Sequence, residues 1–222
     1  MVKWRSEIKA GFRNLRRSFS SDLSTPGNRR RALFYQRWFD HGVLRILWTN
    51  MFQIAPTVWR SNHPTPSRFD KLAAQGIRTI VSLRGSTTAP WALLEQEACT
   101  RVGITLETVA LRSRAAPQKE ELQRLILLFE NVEKPMLIHC KSGADRAGLA
   151  SAIYLIVIKG LPVAEARKML SFRYLHLRWS KAGVLDLLLD EFASSGQNHF
   201  ETWLSEDYDA AKLQEDFAKN RH

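Results

Sequence analysis

The most constraining feature of this sequence is the segment His139–Gly148, HCKSGADRAG, which lies between an apolar run typical of a strand and an apolar run typical of a helix. A glycine-containing loop that enters a helix turns successive backbone N–H groups inward, and together with the helix dipole they form an anion cradle. Cys140 stands at the start of this loop, where the same positive field favours the thiolate. Arg146 follows six positions later, and its planar guanidinium can bind two oxygens of one phosphate. The segment therefore predicts a nucleophile, a cradle and a clamp, as in-line phosphoryl transfer to a thiolate requires.

Short apolar runs alternate with helical patterns from about residue 50 onward. The runs Met51–Ile54 and Thr57–Arg60 flank Ala55-Pro56 and predict a β-hairpin. Further strands are predicted at 78–83, 104–111 and 134–139, and helices at 66–75, 91–102, 118–132, 147–159, 162–175 and 181–192. This alternation predicts an α/β fold with a small central, mostly parallel sheet flanked by helices on both faces.

The first quarter of the chain differs from the rest in charge. Residues 1–60 hold 12 Lys or Arg and 3 acids, a net +9, whereas the remainder holds 33 − 12 = 21 bases and 22 − 3 = 19 acids. We therefore predict a basic N-terminal extension over 1–49, a catalytic domain over 50–195 and a C-terminal helical tail over 196–222.

The extension begins with a helical apolar stripe among basic residues. Its members recur at steps of three or four and are Trp4, Ile8, Phe12, Leu15 and Phe19. A polar break at 20–28 reads as a linker, and 29–48 is again basic, aromatic and helical in pattern. This composition is typical of an interfacial membrane anchor, so an anionic membrane surface is a predicted partner through residues 1–28. Packing of the apolar stripe on the catalytic domain is an equally weighted alternative; disorder and nucleic-acid binding are the others, and nucleic acid is not an expected partner.

The cysteine count and the apolar pattern favour a reducing compartment. Two cysteines, Cys99 and Cys140, cannot make a disulfide scaffold, and Cys99 lies in an apolar helix where a core position is expected. The sequence shows no secretory signal, and its most apolar early stretch, residues 42–59, is too short and too polar to span a bilayer. We expect a cytoplasmic protein, peripheral on the inner membrane if the extension binds lipid.

The segment HCKSGADR after a strand resembles the His-Cys-x5-Arg signature of the protein tyrosine and dual-specificity phosphatases. Upstream, WRSNHP and GIRTIVSLRG resemble the bacterial, compact dual-specificity-like branch. The resemblance covers about residues 50–195 and implies hydrolysis of phosphate monoesters through a cysteinyl-phosphate on Cys140, with a phosphoprotein or a phospholipid as substrate.

The resemblance also assigns roles around the loop. Six residues would bind the phosphate: Lys141, Ser142, Gly143, Ala144, Asp145 and Arg146. His139 would orient the loop and support the thiolate by hydrogen bonding. Arg84, at the end of a strand beside Gly85, either faces the same rim or is an ordinary surface charge, and the same choice holds for Arg112 and Arg114.

Two departures from the family pattern bear on the rate. The loop 111–117, where the family supplies an aspartic acid that protonates the leaving group, has no carboxylate. Asp145, which myotubularin and Sac-type lipid phosphatases share, is the candidate general acid; its alternative role is to orient Arg146 or a neighbouring basic side chain. Ala147 replaces the usual hydroxyl residue after the arginine, and losing one such donor costs roughly 10²–10³-fold by analogy.

Other interpretations stay open at this stage. Cys140 could be an ordinary buried cysteine, or the chain a rhodanese-like sulfur carrier, although the preceding histidine and the clamp at Arg146 fit these less well. A catalytically weak or dead phosphatase that binds phosphate is the alternative from another functional class. Residues 173–178 form a polar-aromatic cluster assigned either to packing or to the substrate side. Neither a metal nor a cofactor is expected, because no cluster has metal-ligand spacing and no nucleotide-type glycine fingerprint is present.

Overall fold

The structure is a computed structural model that describes residues 22–220. The described chain divides into two compact units. The first comprises residues up to Trp48 with Pro64–Gln75 and Ser86–Ile104, and the second comprises Thr49–His63, Gly76–Gly85 and the chain from Thr105 onward. No helix of the described part is long and apolar enough to cross a membrane.

The first unit is helical. Its helices are α1 (Pro26–Phe34), α2 (Gly42–Leu47), α3 (Pro66–Ala74) and α4 (Pro90–Val102), with a π-helical turn at Tyr35–Phe39. The helical pattern predicted for 29–48 is therefore present. The predicted linker is shorter than expected, because Pro26 opens α1, where a missing N–H costs nothing, and the hydroxyl of Thr25 caps the helix by accepting from the N–H of Asn28.

The second unit is built on a five-stranded sheet of order β1-β2-β5-β3-β4. Its strands are β1 (Phe52–Ala55), β2 (Val58–Asn62), β3 (Thr79–Ser82), β4 (Thr105–Thr108) and β5 (Met136–Cys140). The predicted hairpin is the antiparallel pair β1–β2, and every other pairing is parallel. The predicted mostly parallel sheet is confirmed.

Helices flank this sheet in the second unit. They are α5 (Lys119–Asn131), α6 (Asp145–Val157), α7 (Val163–Ala166), α8 (Val184–Ser194), α9 (Phe200–Glu206) and α10 (Ala210–Lys219). Helix α6 is buried on nearly all sides, as expected for a helix that is apolar around its whole circumference. Apolar residues of α9 and α10, including Trp203 and Leu213, belong to the same core as the strands and α5.

The continuous helix predicted over 162–175 is wrong. Only Val163–Ala166 is α-helical, and 3₁₀ turns follow at Arg167–Met169 and Phe172–Tyr174. Met169 O, which a continuous helix would use internally, accepts instead from Arg60, and Tyr174 O, at the C-terminal end of the predicted helix, accepts from Asn50. Tertiary hydrogen bonds have replaced the helical ladder here.

Strand β5 positions the predicted nucleophile. All five of its residues are buried, and it pairs in parallel with β2 on one side and β3 on the other. Cys140 is its last residue, so it lies at the carboxyl end of the central strand. In open parallel sheets ligands bind at this edge.

Candidate active site

The predicted signature spans the end of β5, a four-residue loop and the first turn of α6. Cys140 is 1% exposed at the strand end, and Asp145 and Arg146 form the first turn of the helix. The helix therefore begins two residues earlier than the sequence pattern predicted. We call residues 140–146 the cradle loop.

Four consecutive carbonyl groups of the cradle loop are bonded outward. The four consecutive carbonyls of residues 141–144 each accept a hydrogen bond from the second unit. In loop order, the donors are the backbone N–H of His63 (3.3 Å), the side-chain amide of Asn50 (3.1 Å) and, for the last two, Nη2 of Arg60 (2.6 and 3.1 Å). A carbonyl and the N–H that follows it point in opposite directions across a planar trans peptide. The N–H groups of residues 142–145 are therefore turned away from these donors, which gives the anion cradle its physical basis.

Gly143 is required at the bend of this loop. Its φ is +75°, and a Cβ there would lie 2.7 Å from the backbone N of Asn62 and 2.7 Å from the carbonyl carbon of Ser61. Both obstacles are backbone atoms of β2, which cannot rotate away. The loop can lie this close to the strand only without a side chain at this position.

Arg60 is the buried cation behind the loop. It is fully buried, donates to Met169 O through Nη1 at 2.7 Å, and lies 3.9 Å from the ring centroid of Tyr174. Burial lowers the pKa of Arg60 to about 10, so the guanidinium remains charged at neutral pH. The sequence places Arg60 at the end of a predicted strand and in the WRSNHP motif but assigns it no functional role.

Arg146 is fixed at one nitrogen and retains a donor. Nη1 donates to Leu83 O, just beyond the end of β3, at 3.1 Å. Its Nε is buried and has no hydrogen-bond partner among the described residues. A guanidinium held in this way still has a donor to offer to an anion in the cradle. Arg84 follows Leu83 directly and is half-buried, so the chain order brings it to the same strand end as Arg146.

Asp145 belongs to a chain of three titratable side chains. Its Oδ1 lies 2.8 Å from Nδ1 of His176, and Nε2 of His176 lies 2.7 Å from Oδ2 of Asp186. His176 is 2% exposed. Burial opposes its protonation, but the two carboxylates outweigh burial and raise the pKa of His176 to about 9. From the sequence, the role of the cluster that contains His176 stays open and Asp186 is not singled out, because neither residue lies in a recognisable motif.

The remaining predicted residues have distinct settings. His139 is buried, with Nδ1 3.4 Å from Cys140 O and its ring edge-on to that of His63. Ser142 is exposed, and its hydroxyl lies 3.4 Å from the N–H of Ala144. Ala147 is fully buried within the core. Arg112 and Arg114 are both exposed.

The second cysteine has the setting of a structural residue. Cys99 is fully buried in α4, and burial raises the pKa of its thiol to about 12. A thiol of this kind is unreactive at neutral pH, as the predicted core role requires.

Comparison with known sequences places the site in a wider context. Residues 54–180, more than half of the chain, match the family described as Swiss Army Knife protein, DSP-PTPase phosphatase domain (PTP-SAK). The dual specificity protein phosphatase TpbA of Pseudomonas aeruginosa strain UCBPP-PA14 is 32% identical over 111 residues, which cover 50% of this chain and 48% of TpbA. The chain thus spans about half the length of the curated relatives it matches.

Solved structures share the fold at low sequence identity. Tk-PTP in its active form has a TM-score of 0.53 and 21% identity, covering 68% of this chain and 99% of Tk-PTP. A DUF442 protein from Shewanella putrefaciens has a TM-score of 0.51 and 17% identity, covering 69% of this chain and 97% of that protein.

Proposed function

The chain belongs to the PTP-SAK family of DSP-PTPase phosphatase domains, and on that premise we propose that it hydrolyses phosphate monoesters through a cysteinyl-phosphate intermediate on Cys140. The resemblance that HCKSGADR suggested is thereby confirmed at the level of family. The observation that carries the mechanism is the set of four outward-bonded carbonyls in the cradle loop, since it turns the loop amides toward an anion beside the cysteine.

In the first step the thiolate of Cys140 attacks the phosphorus. The S–P bond forms as the bond to the leaving oxygen breaks. The loop amides and the guanidinium of Arg146 bind the three non-bridging phosphate oxygens, over which the negative charge is spread in the transition state. In the second step water attacks the phosphorus, the S–P bond breaks, and the thiolate and inorganic phosphate are released.

Asp145 is the proposed general acid. The loop 111–117, which corresponds to the acid-bearing loop of the family, holds no carboxylate. Asp145 begins α6 beside Arg146, and its side chain is 25% exposed. In the first step it gives its proton to the leaving oxygen, and in the second it takes a proton from the attacking water. An Asp145→Asn variant should lose far more activity on alkyl phosphates than on aryl phosphates, whose leaving groups need no proton. Equal losses on both would contradict the role.

The decisive experiment compares substitution of Cys140 with substitution of the structural residue Cys99. Turnover of an aryl phosphate is measured in excess chelator for the wild type, Cys140→Ser and Cys99→Ala. We expect wild-type and Cys99→Ala turnover and none from Cys140→Ser. Retained turnover in Cys140→Ser would disprove the cysteinyl-phosphate mechanism.

One observation favours a second candidate function, a phosphate-binding module with little turnover. Ala147 is buried and offers no hydroxyl to the departing thiolate. Rapid-quench measurement separates the two functions: a burst of leaving group followed by slow release of phosphate indicates an enzyme limited by its second step. Binding of an aryl phosphate without any burst indicates a binding module.

The substrate is proposed to be a phosphoprotein or a phospholipid. Parallel assays with a phosphotyrosine peptide, a phosphoserine peptide and vesicles containing a phosphoinositide distinguish these classes by kcat/KM. A peptide preference assigns the protein-phosphatase role, and a vesicle preference assigns the lipid role.

The N-terminal region is proposed to bind an anionic membrane surface, which would make the protein peripheral on the inner membrane. Residues 1–21 of the predicted anchor lie outside the described residues. The described part that follows supports the proposal, since Phe34, Trp38, Leu44 and Leu47 are exposed in a segment that also exposes Arg30, Arg31 and Arg37. Flotation with vesicles containing anionic lipid should succeed with the full chain and fail after deletion of residues 1–28; equal flotation of both would exclude residues 1–28 as the anchor.

A further inference from the structure

The cysteine chemistry does not account for His176 and Asp186. The second unit buries this imidazole between two carboxylates, each within 2.8 Å of one ring nitrogen. A neutral imidazole carries one N–H and can donate to only one of them. With both carboxylates ionised, both bonds form only when His176 is an imidazolium.

The charged groups around His176 favour that form. Asp145 on α6 and Asp186 on α8 both stabilise the cation, and together they raise the pKa of His176 to about 9 against the effect of burial. On β2, Arg60 interacts with Asp145 and Cys140 rather than with the imidazole. His176 is therefore an imidazolium at neutral pH, and each of its two ring N–H groups faces one carboxyl group.

The two carboxylates differ in what remains available to a substrate. The side chain of Asp186 is 7% exposed, whereas that of Asp145 is 25% exposed and its Oδ2 makes no hydrogen bond with the described residues. Asp186 can therefore act only on His176, while Asp145 can act on His176 and on a substrate.

We propose that His176, anchored by Asp186, is a positioning residue of the phosphatase reaction that holds Asp145 through one carboxylate oxygen and leaves the other to exchange protons with the substrate. This inference rests on the proposed function. When Asp145 gives its proton to the leaving oxygen, the N–H at Nδ1 stabilises the new carboxylate, and His176 keeps both of its protons throughout. When water attacks in the second step, Asp145 takes up one proton and the cycle closes.

The test compares His176→Gln and Asp186→Asn with His199→Gln, a control at an exposed histidine of the same unit. Each variant is assayed at neutral pH on an alkyl and an aryl phosphate. In His176→Gln we expect about a 10-fold or greater loss on the alkyl ester, in kcat rather than in KM, and less than a 3-fold loss on the aryl ester. Asp186→Asn should change both in the same direction by a smaller factor, and the control should match the wild type. Equal losses on the two esters would overturn the inference.

A spectroscopic measurement keeps the inference testable if a variant does not fold. The ring ¹⁵N shifts of His176 in the wild-type protein should report an imidazolium at pH 7 and titration near pH 9. A neutral ring at pH 7 would overturn the inference. Failure of the proposed function has a separate signature, which is absence of wild-type turnover on either ester.

Discussion

The cradle loop pairs its polar groups with buried donors, whereas the N-terminal segment 26–48 exposes large apolar side chains. In the loop, four successive carbonyls are bonded and the supporting Arg60 is fully buried. In the segment, large apolar side chains are exposed, with Leu47 at 88% and Trp38 at 59%. Buried polar groups tolerate little change because each unpaired one costs about 1–3 kcal/mol, whereas exposed apolar side chains contribute little to folding and mark surfaces for partners. The hydrogen-bonded loop belongs to the proposed chemistry, and the exposed apolar segment is available to bind a membrane surface.

The largest effect is expected from Gly143→Ala. The new Cβ would meet the backbone of Ser61 and Asn62 at 2.7 Å, so the loop must move away from β2 and its amides lose their alignment. We expect kcat/KM on an aryl phosphate to fall about 10²-fold or more. The matched control is Gly160→Ala, since Gly160 has a similar φ of +64° with nothing within 4 Å of the new Cβ. The control should lose about 1 kcal/mol of stability and little activity. Similar activity losses in both variants would remove the steric argument for the cradle.

Next in size is the loss of Arg60. Arg60→Met leaves the carbonyls of Gly143, Ala144 and Met169 without their charged donor. We expect the free energy of unfolding to fall by about 4 kcal/mol, measured by urea denaturation. Arg178→Met is the control because Arg178 is 62% exposed in its ion pair with Asp190 and should cost less than about 1 kcal/mol. Equal costs would show that the loop does not depend on its buried cation.

Gly143 and Arg60 also illustrate which parts of the site could be predicted from the sequence and which could not. The strand, loop and helix of the signature, with Cys140 and Arg146 at their ends, could be predicted because their pattern is local. Arg60 and Asn50 could not, since their partners lie more than 80 residues away in the chain and no periodicity encodes a bond from a side chain to a distant carbonyl. Arg60 also takes the carbonyl of Met169, which the predicted helix 162–175 would have used internally, so the error at that helix and the missed support of the cradle involve the same buried side chain.

A third, smaller effect concerns pH. Folding raises the pKa of His176 from 6.5 to about 9, so the stability it contributes is fully present below pH 6.5 and is lost as the pH rises through 9. We expect about 3 kcal/mol of this pH-dependent stability in the wild type, and none of it in His176→Gln. Urea denaturation at pH 6 and pH 9.5 gives the difference for each protein. A wild type whose stability changes no more than that of the variant would show that the two carboxylates do not hold a proton on this ring.

The smallest effect on activity, and the sharpest test of the comparison, comes from the exposed segment. A Trp38→Glu/Leu47→Glu double variant places charge where the segment is apolar, without touching a buried contact. Because neither residue belongs to the proposed catalytic machinery, kcat/KM on a soluble aryl phosphate should stay within about 2-fold of the wild type. Binding to vesicles that contain anionic lipid should fall about 10-fold or more, since each side chain loses apolar contact and gains charge repulsion. Glu97→Gln is the control, because it changes the charge at the ion pair with Arg29 in the same unit and leaves the exposed apolar residues intact. Unchanged vesicle binding in the double variant would show that this segment is not the surface that meets the lipid. A large loss of activity on the soluble aryl phosphate would show that catalysis depends on these two exposed side chains.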